Sequence, residues 1–165
     1  MKKITKSLIA VLALCLAFAL TGCSDKKAEK KYHDDVEAIQ SNIILANSTM
    51  LTDLQTFIAD VTNEDAKAKV LEDIKTMETE FTTLRDLTAP KRYKEAQIVY
   101  KEAAEEGLKG TEDYSVAIQN CTEAVFTDQT ANDEFMTRIT EGDDHITAAG
   151  TKISEASQIA NEANK

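Results

Sequence analysis

Apolar residues recur at alternating steps of three and four from Tyr32 almost to the C-terminus, a period that commits the chain to amphipathic helices lying side by side. The first stretch, 32–61, passes through Val36, Ile39, Ile43, Ala46, Met50, Leu54, Phe57 and Val61. Asn63-Glu64-Asp65 breaks the phase, and Asn63 is suited to cap a second helix with two acids in its first turn. That helix carries Val70, Ile74, Met77, Phe81, Leu84 and Leu87. It must stop before Pro90, because the residue preceding a proline is pushed out of the helical region. Pro90 itself can open a third helix, where its missing N–H costs nothing.

The third stretch runs from Tyr93 through Tyr100, Ala103, Gly107, Gly110, Tyr114, Ile118 and Cys121 to Val125. Gly110-Thr111-Glu112-Asp113 has the look of a stop and restart, but the three-four spacing crosses both glycines without slipping. One continuous helix is therefore expected. Thr130-Ala131-Asn132-Asp133 has the form of a capping box for a fourth helix, marked by Phe135, Ile139, Gly142, Ile146, Ala149, Ile153 and Ala156. Short connections between helices of this length set neighbours antiparallel. The expected fold is all-α, an up-down-up-down four-helix bundle over 32–165.

Charge excludes one class of partner. The formal net charge is −10, whereas nucleic-acid binding needs a basic footprint to neutralise phosphates. A single proline, the lack of tryptophan and the few aromatics agree with the helical reading.

Residues 1–22 have the three parts of an export signal. Lys2, Lys3 and Lys6 open it, an apolar run spans 8–20, and small residues follow. The run falls short of the roughly 20 apolar residues that a membrane-crossing helix needs. It closes on Leu20-Thr21-Gly22-Cys23, which matches the bacterial lipobox at all four positions. In this the chain resembles the bacterial lipoproteins. The resemblance implies cleavage between Gly22 and Cys23, thioether-linked diacylglycerol on Cys23, and residence on the extracytoplasmic face of a membrane. Two acyl chains (palmitate, for example) give lasting attachment where one is marginal. Ser24 permits outer-membrane sorting in a two-membraned cell; a Gram-positive surface is the preferred setting.

The expected organisation is thus a signal peptide at 1–22, a lipidated cysteine with a flexible tether at 23–31, and the bundle. The tether (SDKKAEKK after the cysteine) carries about +2 and the body about −15, which suits a basic arm beside anionic lipid and an acidic domain held away from it. With Cys15 in the leader and Cys23 lipidated, Cys121 is left without a disulfide partner and is expected to pack as a small hydrophobe. The body is similar to small uncharacterised helical lipoproteins in its Pro90-x-x-Tyr93-x-x-Ala96 helix opening, a likeness that carries no activity.

Three inward-facing glycines ask for a reason, since each costs about 1 kcal/mol relative to alanine inside a helix. Laid out at helical rise, Gly107, Gly110 and Gly142 stand near mid-height with Met50, Tyr100 and Tyr114 close by. Two explanations fit: close approach of helices three and four, or a ligand cavity at that level. Glu141 and His145, one turn apart, have metal-ligand spacing. His33, at the other end, cannot complete a site, and the Glu-x-x-His pattern of di-iron bundles does not occur. A solvated acidic face is the reading preferred. Tyr93, Tyr100 and Tyr114 are expected as core aromatics. With no phosphate loop, Cys-x-x-Cys or nucleophile elbow in the sequence, the expectation is a non-enzymatic, cofactor-free envelope protein that binds a partner. A small-ligand carrier or sensor is the alternative.

Overall fold

The computed structural model describes residues 26–164, all-helical with no strand among them. The signal peptide, the lipobox, Gly22 and Cys23 lie outside the described residues. The elements are α1 (Lys26–Ala59), α2 (Glu64–Asp86), a 3₁₀ turn (Lys91–Tyr93), α3 (Lys94–Asn120), the four-residue α4 (Ala124–Thr127) and α5 (Gln129–Ala163).

Helix α1 begins within the stretch expected as a flexible tether, so 26–31 is helical. Lys30 pairs with Asp34 at 2.6 Å and Lys31 with Asp35 at 2.5 Å, both one turn apart. Such pairs extend a helix without any apolar period. Arg92 Nη1 reaches Glu29 Oε2 at 3.4 Å and ties this first turn to the start of α3.

The turn into α2 uses the expected cap: Asn63 sits in the extended region and its Oδ1 accepts from Ala66 N at 3.0 Å. Helix α2 ends at Asp86, and Leu87 turns extended three residues before Pro90. Tyr93 N then donates to Pro90 O at 2.9 Å, closing the 3₁₀ turn that feeds α3.

Helix α3 passes through Gly107, Gly110 and Thr111 without interruption. It stops at Asn120, however, and does not reach Val125. Cys121 adopts φ −67°, ψ 125° and its N–H donates to Ile118 O, a tightened last turn. Cys121 and Val125 are both buried, at 3% and 7% exposure, so the apolar spacing survives a break in the backbone. The cap of α5 also lies earlier than the expected 130–133 box. Asp128 is the extended residue, and its Oδ1 accepts from Ala131 N at 2.9 Å, leaving Thr130 within the helix.

Helix α1 packs on α2, α2 on α3, and α3 on α5. Asn42 meets Glu80 across α1 and α2, and Lys67 meets Gln119 across α2 and α3. On α3 and α5, Glu102 meets Lys152 and Asp113 meets Arg138. No Cα of α1 lies within 8 Å of one in α3 or α5. The core is continuous, with Phe57, Phe81, Tyr93, Tyr100, Tyr114, Met50, Met77 and Leu84 all at most 2% exposed. No helix among the described residues is long and apolar enough to cross a membrane.

Candidate functional site

The glycines decide the first question. A Cβ built on Gly107 would lie 2.4–2.5 Å from three carbons of the Phe81 ring. One on Gly142 would lie 2.6 Å from the Tyr114 ring, and one on Gly110 3.0 Å from Gly142 O. Gly110 and Gly142 therefore let the α3 and α5 backbones approach each other directly, while Gly107 admits a phenyl ring from α2. Of the two explanations for the glycines, close approach describes Gly110 and Gly142, and packed side chains stand where a ligand cavity was the alternative. Met50 and Tyr100, expected on its wall, are 1% exposed parts of the filled core, and Tyr114 is 2% exposed.

Tyrosine hydroxyls carry a polar layer at the end where α1 begins and α5 finishes. Tyr32 O–H donates to Gln97 Oε1 at 2.6 Å, and Gln97 Nε2 donates to the Leu84 carbonyl at 2.9 Å. Tyr100 accepts from Gln40 Nε2 at 3.5 Å and bonds Ser157 Oγ at 3.0 Å. Tyr93 stacks on Tyr32 with centroids 5.5 Å apart, takes the His33 ring on its edge, and donates to Asn164 Oδ1. Side chains thus join α1 to α3 and α5 where the backbones stand apart. Satisfied networks of this kind fix a unique packing.

Farther along the α3–α5 seam, Tyr114 donates to Asp143, a carboxyl whose pKa burial raises against the opposing pull of that hydrogen bond. A carboxyl with a raised folded pKa contributes stability in its protonated form. That contribution is complete below the unfolded value of about 3.9 and is lost as pH rises through the folded one. Asp143→Asn keeps the acceptor for Tyr114 and removes the titration. Its melting temperature relative to the parent should therefore rise from pH 4 to pH 7, as calorimetry would record; a difference that does not move with pH contradicts this. His33 works in the other direction. Burial lowers its pKa, so its neutral form stabilises above about 6.5 and the contribution is lost as pH falls through the folded value.

His145 does not pair with Glu141 on its own helix. Its Nδ1 lies 2.7 Å from Glu106 Oε2 of α3, and its Nε2 is 4.0 Å from Asp113 Oδ2. Glu141 faces Arg138, which also binds Asp113 at 2.7 Å. The result is a half-exposed charge ladder across α3 and α5. Cys121 is buried, as expected for a small hydrophobe, and burial pushes its thiol pKa up against the opposing charge of Lys67.

The open surface features lie at the opposite end from the tyrosine layer, where the α1–α2 and α3–α5 turns meet. A groove of about 660 Å³ runs between the end of α3 and the start of α5. Val116, Ala117, Cys121, Val125 and Phe135 supply its apolar lining, and Asp133, Glu134, Arg138 and Glu141 its polar one. A second groove of about 490 Å³ lies between the two turns, lined by Val61, Glu64, Lys67, Thr122 and Glu123 among others. Phe126 of α4, between buried Val125 and the Asp128 cap, is 58% exposed.

Comparison of the chain with protein-family models, with curated proteins and with solved structures found no match. The residues themselves carry the functional reading.

Sequence reasoning missed Phe126. Its signal was present, since the ring falls off the three-four stripe and next to acids, where a helix surface has no use for it. The groove itself depends on the break at Cys121, which apolar spacing does not register.

Proposed function

We propose that this chain is a lipid-anchored, extracytoplasmic interaction module of the bacterial envelope, without enzymatic activity. The lipobox Leu20-Thr21-Gly22-Cys23, closing a charged and apolar leader, is the observation that carries the anchoring. The body is an up-down-up-down antiparallel four-helix bundle, with α4 as part of its last connection. The opposed pairings of α1 with α2, α2 with α3 and α3 with α5 support that topology. Lipid at Cys23 sets the tyrosine layer toward the membrane and the acidic turns 60–65 and 128–134 farthest from it. Phe126 and the grooves then face whatever arrives from outside.

This reading is tested by expressing the full chain in a bacterial host and fractionating intact cells. The chain should sediment with membranes, resist extraction by salt and carbonate, dissolve in detergent, and be open to protease added from outside. Recovery in the cytosol, or protection from external protease in cells lacking an outer membrane, would overturn it.

A further inference from the structure

The groove between α3 and α5 has an apolar floor and an acidic margin on its α5 side, and these two properties together specify an occupant. From them we infer that it docks a basic polypeptide segment carrying at least one large apolar side chain, contributed by another protein of the envelope. The inference rests on the reading of the chain as an interaction module and adds the chemistry of the partner.

An apolar side chain can be received by Val116, Ala117, Val125 and Phe135, which line about 660 Å³ open to solvent. Phe126, with more than half of its surface exposed, follows groove-lining Val125 in the chain. Aromatic anchors flanked by polar rims are where interface energy concentrates.

The charge argument selects the partner's sign. Asp133, Glu134 and Glu141 line the groove against a single cation, Arg138, and Arg138 is already engaged by Asp113 and Glu141. Glu123 and Glu64 line the neighbouring groove, where Lys67 turns its ammonium to the Gln119 carbonyl. An acidic partner would meet the like charge of Asp133 and Glu134 along the α5 margin, whereas a basic one is attracted there. Lysine or arginine on either side of an apolar anchor satisfies both parts. Opposed potentials of this kind raise the encounter rate and fix register.

The experiment uses the full chain held in phosphatidylcholine nanodiscs, with a benzophenone side chain placed at Phe126 or, for comparison, at exposed Ile98 near the start of α3. The probe is a fluorescein-labelled hexapeptide of alternating lysine and phenylalanine; its counterpart has glutamate in place of lysine. Light-driven capture of the lysine peptide at position 126, and neither at position 98 nor with the glutamate peptide, is the expected result. Glu134→Lys combined with Glu123→Lys should weaken binding by about tenfold with an unchanged helical melt. Equal capture at both positions, or an affinity unaltered by the charge reversals, would overturn the inference, because the net charge of the body would then suffice. Nanodisc attachment is scored on the same samples. A chain that binds the peptide but does not stay with lipid supports the docking chemistry and counts against the anchoring, so the two failures are distinguishable.

Discussion

Gly107→Ala should destabilise the protein by about 2 kcal/mol, the ordinary scale for overpacking a filled core. Helix propensity alone predicts the opposite sign, a gain of about 1 kcal/mol for replacing a mid-helix glycine. The packing term wins because the new methyl would lie 2.4 Å from Phe81, whose ring is 1% exposed and has no room to retreat. Phe81→Ala alone should cost about 3–5 kcal/mol through lost burial and the void it leaves. With Phe81 already alanine, the obstruction is gone, and Gly107→Ala should become neutral or stabilising by up to about 1 kcal/mol. Urea unfolding of the four proteins completes the cycle, with an expected coupling of about 2–3 kcal/mol. Additive effects would mean that the ring and the glycine do not share one space.

The second large effect is at Cys23. In Cys23→Ala the thiol proposed to receive the diacylglycerol is missing, so acyl label should fall to background, a loss of more than about tenfold. Cys23 is also the residue before which the leader is expected to be cut. The species beginning at residue 23 should therefore disappear, leaving the longer precursor. Labelled-palmitate incorporation read beside electrophoretic size reports both. A variant that keeps its label and its processed size would place the lipid elsewhere.

Helical period made α1, α2, α3 and α5 legible because each buries one continuous stripe, and a stripe is what spacing records. The Asn63 cap was legible for a local reason: a short acceptor side chain stands immediately before the helix, with acids in the first turn. Continuity through Gly107 and Gly110 was legible from preserved phase. The same preserved phase concealed the end of α3, where Cys121 and Val125 stay buried across a backbone that has left the helix. Charge pairs supplied the helix at 26–31, and apolar spacing is blind to them. The tyrosine layer was half visible. Its rings sit on the stripe, but Gln40, Gln97 and Ser157 are polar residues at core positions, and their hydroxyl partners are set by the three-dimensional register of α1, α3 and α5. For the glycines, sequence could name the places where side chains are missing but not what fills the space, which depends on Phe81 arriving from another helix.

The proposed presentation of this acidic helical body by lipid on Cys23 has a signature in mass. Intact-mass spectrometry of the full-length gene product extracted from host membranes tests it most directly. The predicted result is a chain of residues 23–165 whose N-terminal cysteine carries diacylglycerol, with the acyl mass released from an N-terminal peptide. An unmodified Cys23, in a chain that begins at Met1 or at any other residue, would contradict it.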